Sequence, residues 1–73
     1  MAVLRGFEAV TEALDAEDFP MDKQAVAYSV GDIEVEGRGG ALVPVRVLLD
    51  RIPRDEFSDA RAVVSALRAA ARA

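Results

Sequence analysis

The sequence contains no cysteine and no histidine. Without cysteine there can be no disulfide, no thiolate nucleophile, no Fe–S cluster and no cysteine-based zinc site. Without histidine the chain also lacks the commonest general base, the commonest transition-metal ligand and the proton carrier of a serine triad. We therefore expect a protein that is not an enzyme and holds neither a metal nor another cofactor.

Long hydrophobic runs are also missing. The unbroken apolar stretches, such as 47–49, are far shorter than the roughly 20 residues that span a bilayer. Residues 1–6 carry neither the basic region nor the long apolar region of a secretory signal. We therefore expect a cytoplasmic protein with no membrane partner.

Large apolar side chains are few. The chain has 73 residues, of which 52% are hydrophobic, but 14 of these are alanine, and there are three Phe, one Tyr and no Trp. A chain of this length forms one domain, here 1–73, and buries only about 60% of its unfolded surface. We expect apolar surface to stay uncovered in an isolated monomer, which favours self-association.

Charge is divided unevenly along the chain. The net charge is −4, yet residues 1–36 carry −7 and residues 37–73 carry +3, with seven arginines in the second half. Halves of opposite charge attract each other, either within one fold or across a homodimer.

The spacing of apolar residues predicts four helices. The first spans about 2–16 and ends before Pro20, because proline clashes inside a helix. Its apolar face consists of Val3, Phe7, Val10 and Leu14.

Turn and capping residues delimit the other three helices. Asp22 is the expected N-cap of a short second helix that ends at Gly31. A third helix of about two turns begins after Pro44, which should end strand pairing, and is closed by Pro53. Ser58 is the expected N-cap of the last helix. The apolar stripe of that helix comprises Ala60, Val63, Val64, Leu67 and Ala71.

Between the second and third helices the pattern changes to that of a β-hairpin. Ile33 and Val35 alternate with acids, residues 37–40 form a Gly-rich turn, and 41–43 form the returning strand. The predicted fold class is α+β: one small domain of about four helices, two of them short, packed on one two-stranded β-hairpin. We expect these to be the only strands.

Several of these segments resemble a small prokaryotic domain family of unknown function. That family has a D-[FY]-P-x-x-K opening and an L-L-x-x-[LI]-P segment, which resemble residues 18–23 and 48–53 here. Other similar pieces are Gly31-Asp32, Gly39-Gly40 and Phe57-Ser58 followed by Val63. The resemblance implies a small helical domain and no catalytic residue.

Three polar clusters are candidate binding or catalytic sites. The Gly-rich turn at 37–40 could hold a phosphate, but it joins two strands instead of opening a helix. Glu34 and Glu36 share one strand face, where solvated carboxylates are poorly suited to acid catalysis. A third cluster lacks the spacing of a calcium loop, so solvated acids are the simpler interpretation; it comprises Asp15, Glu17, Asp18 and Asp22.

The last helix carries the candidate binding residues. Arg61, Arg68 and Arg72 fall within about 40° of one another at 100° per residue. This stripe could be neutralised by acids of the same chain, or it could bind an acidic protein or nucleic acid. Ala66 and Ala70, with other alanines nearby, would let a second helix approach closely.

These features favour a small cytoplasmic interaction module that binds a protein partner or itself, as a homodimer. The alternative is a nucleic-acid-associated regulator of winged-helix type. The acidic net charge and the lack of aromatics among the arginines argue against that alternative.

Overall fold

A computed structural model describes residues 6–72 of the chain. Val3, the predicted start of the first helix at residue 2, and Ala73 lie outside this range. Within it, four helices account for more than half of the residues, and short antiparallel strands connect them, so the α+β prediction is confirmed. The helices are α1 (Gly6–Asp15), α2 (Lys23–Val30), α3 (Val45–Asp50) and α4 (Ala60–Arg72).

The predicted hairpin is present between α2 and α3. Strand β2 (Glu34–Glu36) pairs with β3 (Leu42–Pro44), and Val35 lies opposite Val43. Val35 is buried while the glutamates on either side are exposed, as the alternation predicts. Strand pairing ends at Pro44, as expected, although Pro44 itself lies opposite Glu34 and is the last residue of the ladder. A terminal position tolerates proline, which has no N–H to donate.

A second sheet was not predicted, and the expectation of a single hairpin is therefore wrong. Strand β1 (Met21–Asp22) pairs with β4 (Glu56–Phe57) in antiparallel fashion, and Met21 lies opposite Phe57. The ladder is extended by a hydrogen bond from the Lys23 amide to the Asp55 carbonyl at 2.8 Å. Strands of two residues are too short to show an alternating pattern, so periodicity does not reveal them.

The helix caps confirm one prediction and correct another. Asp22 Oδ1 accepts from the Ala25 amide at 2.7 Å, as expected for the N-cap of α2. In α4, however, Asp59 Oδ1 accepts from the Ala62 amide at 2.8 Å, so Asp59 is the cap instead of Ser58. Both residue types are good caps, and the sequence alone does not select between neighbours.

Gly31 follows α2 for a different reason than the expected left-handed cap. Its φ is −59°, a right-handed value open to any residue. A Cβ at this position would overlap the backbone carbonyl oxygen of Ala27. Close backbone approach therefore explains the glycine, and it lets α2 end with a hydrogen bond from the Gly31 amide to the Ala27 carbonyl.

All four helices and both sheets contribute to one core. Phe57 is its largest fully buried side chain, and no polar or charged side chain among residues 6–72 is buried. Of the larger apolar side chains in that range, the exposed ones are Tyr28, Leu42 and Val47. The expectation of extensive uncovered apolar surface is therefore not confirmed for this part of the chain. The buried core consists of Val10, Leu14, Met21, Val26, Val30, Ile33, Val35, Val45, Leu48, Leu49, Ile52, Phe57, Val63, Leu67 and Ala71.

Candidate interaction surface on the first and last helices

Helices α1 and α4 pack side by side and run antiparallel. Phe7 at the start of α1 lies under Arg68 near the end of α4, with the guanidinium carbon 4.7 Å from the ring centroid. At the other end of the pair, Asp15 of α1 and Arg61 of α4 line the same groove. This groove has a volume of about 470 Å³. We call the two helices and the groove between them the α1–α4 surface.

The predicted arginines form an exposed stripe on this surface. Arg61, Arg68 and Arg72 are all exposed, on the flank of α4 that faces the groove with α1. None of these three arginines is within 4.0 Å of a carboxylate oxygen of residues 6–72. No carboxylate of this range therefore neutralises the stripe. We call these three residues the arginine stripe.

Arg68 differs from its two neighbours because its guanidinium contacts an aromatic ring of the same chain. Its guanidinium stacks over the half-buried ring of Phe7, a cation–π contact that also orients the planar donor group. A side chain already held in one place loses less conformational entropy when it binds a ligand. Periodicity placed Arg68 on the stripe but could not show this contact, which depends on how α1 and α4 pack.

Acidic residues run alongside the arginine stripe on the neighbouring helix. Glu8, Glu12 and Asp15 of α1 are exposed and fall within about 60° of one another at 100° per residue. None of them is in an ion pair within residues 6–72. We call these three residues the acidic stripe.

Arg38 extends the positive charge at the far end of the surface, which the sequence analysis missed. It lines a second groove together with Arg68 and Arg72, and Phe7 and Glu36 contribute to the same groove. Arg38 belongs to the hairpin turn, so only the folded chain brings it close to α4. A pattern along one helix contains no signal for it.

The predicted alanines lie away from the arginine stripe. Ala66 and Ala70 are half-buried and pack against the core of the same chain. At 100° per residue they fall on the opposite flank of the buried side of α4 from the arginines. The structure therefore does not bring alanines and arginines together on one face, and part of the alanine surface is already covered by the fold.

Two backbone amides of the Gly-rich turn donate hydrogen bonds within the hairpin. The Gly37 amide donates to the Ala41 carbonyl at 2.7 Å, and the Gly40 amide donates to the Gly37 carbonyl at 3.1 Å. Gly39 and Gly40 have positive φ values of 77° and 83°, which explains glycine at both positions. These interactions are those of a hairpin turn.

Two of the four acids in the candidate cation site have structural partners. Asp22 caps α2, and Glu17 Oε2 accepts from the Ser29 hydroxyl at 2.9 Å. Within residues 6–72, no group of three or more potential metal-ligating side chains comes together. The carboxylates of Glu34 and Glu36 are on exposed residues.

A separate groove between α2 and α3 is lined by two cationic side chains that have partners inside the chain. Lys23 Nζ donates to the Ile52 carbonyl and lies 4.0 Å from the Asp55 carboxylate. Arg46, which lines the same groove, pairs with Asp32 at 2.8 Å. The Arg46–Asp32 pair joins a base of the second half of the chain to an acid of the first half, as the predicted attraction between halves requires, whereas the Lys23–Asp55 pair has the signs reversed.

A scan against protein-family models, a search of curated proteins and a search of solved structures found no match to this chain. Within residues 6–72, no helix is both long enough and apolar enough to cross a membrane.

Proposed function

We propose that this protein is a non-enzymatic cytoplasmic interaction module that binds an acidic protein surface, on a partner or on a second copy, through the arginine stripe. One observation carries the proposal. Three exposed guanidinium groups share one helix face, and no carboxylate of residues 6–72 lies within 4.0 Å of them. Arginine forms bidentate hydrogen bonds with carboxylates, so these groups suit an acidic ligand.

The contact between Arg68 and Phe7 is compatible with binding, because it uses the face of the guanidinium and not its donors. Its stacking on Phe7 leaves the outward-facing donors of the guanidinium available. Arg61 and Arg72, on either side of it along α4, make no side-chain hydrogen bond within residues 6–72. The fold therefore gains little from these two charges, which leaves them available to a partner.

A protein ligand fits the surrounding charge better than nucleic acid does. The acidic stripe runs next to the arginine stripe, and the chain as a whole carries −4. A long polyanion would meet this negative charge beside its contact, whereas an acidic patch on a protein is limited in extent. The nucleic-acid-associated regulator remains the alternative, favoured by the position of Arg38 at the end of the arginine stripe.

A non-enzymatic role agrees with the placement of the charged groups. No charged side chain among residues 6–72 is buried. General acids and bases are tuned by removal from water and by close charged neighbours. Solvated surface carboxylates lack that environment.

Fluorescence anisotropy with a labelled oligoglutamate peptide tests the proposal. We expect binding to the wild-type protein, and binding at least about tenfold weaker to Arg61→Glu/Arg72→Glu, because the charges that attract the peptide are reversed. Arg51→Glu is the matched control: it is exposed, lies outside the stripe and should bind like wild type.

Duplex DNA of matched charge is the second probe. We expect it to bind more weakly than the peptide at physiological salt. Equal peptide binding by the stripe variant and the wild type would overturn the proposal. Sub-micromolar DNA binding that the stripe variant abolishes would replace it with the nucleic-acid alternative.

A further inference from the structure

We propose that two copies of this chain bind each other through the α1–α4 surface, with α1 of each copy lying over α4 of the other. The two-fold axis is parallel to the helices and lies between the copies. This inference rests on the proposed function, because it identifies the acidic surface bound by the arginine stripe as the acidic stripe of a second copy.

The α1–α4 surface presents its negative and positive side chains in two separate rows. The acidic stripe lies on α1 and the arginine stripe on α4, and the two helices are direct neighbours. Helices packed in this way have axes about 8–10 Å apart. The surface therefore carries a negative row and a positive row side by side, and both rows are exposed.

This pattern is complementary to itself in one orientation. A two-fold rotation about an axis parallel to the helices exchanges the left and right sides of the opposing copy. Each acidic stripe then faces the arginine stripe of the other copy, and both contacts form at once, as a closed dimer requires. A rotation about an axis across the helices would place like charges opposite each other, which is unfavourable.

This rotation leaves the position of each residue along the helix direction unchanged. Asp15 lies level with Arg61 at one end of the pair, since both line one groove. At the other end, Phe7 lies under Arg68, so the adjacent Glu8 is level with the last two turns of α4. In the dimer, Asp15 therefore meets Arg61 of the second copy, while Glu8 meets Arg68 and Arg72 of the second copy.

The size of the surface sets the strength of the contact. At 1.5 Å per residue, α1 is about 15 Å long and α4 about 20 Å, so the two helices offer on the order of a few hundred Å² each. Stable interfaces bury about 800 Å² per partner. Apolar contact comes from the half-buried groove residues Phe7, Ala60 and Val64. We therefore expect a weak dimer that salt disrupts, because its orientation depends on exposed charges.

Mixing two charge-reversed variants gives the sharpest test. One variant is Arg61→Glu/Arg72→Glu and the other is Glu8→Arg/Asp15→Arg, both in the full chain. Each alone places like charges across the two-fold axis and should associate at least about tenfold more weakly than wild type. Mixed together they should form a heterodimer, since positions 15 and 61 then face each other with opposite charges, and so do positions 8 and 72, while Arg68 is unchanged in both variants. Sedimentation equilibrium with one variant labelled measures both quantities.

The controls are single charge reversals of the same sign outside the surface, each changing the net charge by half as much as the corresponding double variant. Arg51→Glu and Asp18→Arg are exposed and belong to neither stripe. They should self-associate like wild type. Wild-type protein that stays monomeric at millimolar concentration and low salt would overturn the dimer, and so would a mixture of reversed variants that associates no better than either alone.

A paramagnetic label covers the case in which a reversed variant does not fold. The chain has no cysteine, so Ser65→Cys on the exposed side of α4 gives a single attachment site. Spin-labelled protein is mixed with ¹⁵N-labelled wild type that carries no spin label. Broadening should concentrate on Thr11 and Glu12 of the ¹⁵N copy, which lie at the matching height on α1. Broadening of the hairpin, or no broadening, would contradict the proposed arrangement.

The oligoglutamate experiment separates the two proposals. Peptide binding that depends on the arginine stripe, without self-association, overturns the dimer and leaves the proposed function in place. Loss of peptide binding as well as self-association overturns both.

Discussion

Lys23 and Arg46, between α2 and α3, have ion-pair partners inside the molecule, whereas the arginine and acidic stripes of the α1–α4 surface have none within residues 6–72. Lys23 donates to the Ile52 carbonyl and approaches Asp55, and Arg46 pairs with Asp32. The arginine stripe and the acidic stripe have no such ion pairs within residues 6–72. In one small domain, two groups of charges therefore differ in whether the described chain pairs them.

The difference teaches which charges serve folding. Lys23 connects the start of α2 to the segment that follows α3, next to the β1–β4 ladder. Its removal would leave a carbonyl without a donor. The arginine stripe makes no comparable connection through Arg61 or Arg72, so reversing those charges should affect binding and leave folding intact.

The largest expected effect on stability distinguishes two phenylalanines that differ in burial. Phe57 is fully buried and lies in the β1–β4 ladder, whereas Phe7 is half-buried at the edge of the α1–α4 surface. Phe57→Ala should lower the free energy of unfolding by about 3–5 kcal/mol through lost burial and a cavity. Phe7→Ala should cost clearly less. Urea denaturation measures both, and equal losses would contradict the assignment of Phe57 to the core.

The next effect concerns the internal charge pairs. Lys23→Met keeps most of the apolar stem but removes the donor to the Ile52 carbonyl, and should cost about 1–2 kcal/mol. Arg46→Met removes an exposed ion pair with Asp32 and should cost less than about 1 kcal/mol. A reversed order in thermal or chemical denaturation would show that the Lys23 contact contributes little to folding.

A smaller effect tests the start of α4, the helix that carries the arginine stripe. Asp59→Ala removes the side chain that accepts from the Ala62 amide and should cost about 1 kcal/mol. Ser58→Ala should stay within about 0.5 kcal/mol, as surface substitutions usually do. A greater loss for Ser58→Ala would restore Ser58 as the cap.

The smallest expected effect on stability comes from the arginine stripe itself. Arg61→Glu/Arg72→Glu should leave the free energy of unfolding within about 0.5 kcal/mol of wild type. The reason is that neither side chain has an ion pair or hydrogen bond in residues 6–72 to lose. A loss of more than about 1 kcal/mol would assign these arginines a structural role.

Local patterns were sufficient to predict the helices, the hairpin and the cap at Asp22. Each of these depends on residues within a few positions of one another, where helix and strand periods and capping preferences act. The pairing of Met21 with Phe57 could not be predicted from local patterns, because it joins short strands that are far apart in the sequence. The choice of Asp59 over Ser58 was also out of reach, since both residues suit a cap.

The candidate surface was predictable in part for the same reason. The arginine stripe follows from spacing along one helix. The stacking of Arg68 on Phe7, the approach of Arg38 and the neighbouring acidic stripe all depend on how α1 and the hairpin pack on α4. Ala66 and Ala70 illustrate the converse, because a stretch of small residues does not indicate which side of the helix the core will cover.

The most direct measurement is an NMR titration of the ¹⁵N-labelled full chain with oligoglutamate, following backbone amides and arginine Nε–Hε signals together. The difference between the two regions predicts shifts in α4 and in the Nε–Hε signals of Arg61, Arg68 and Arg72. It also predicts little change around Lys23 and Arg46, whose charges are already paired. Shifts centred on the α2–α3 groove, or no shifts at all, would contradict the assignment of the arginine stripe as the binding surface.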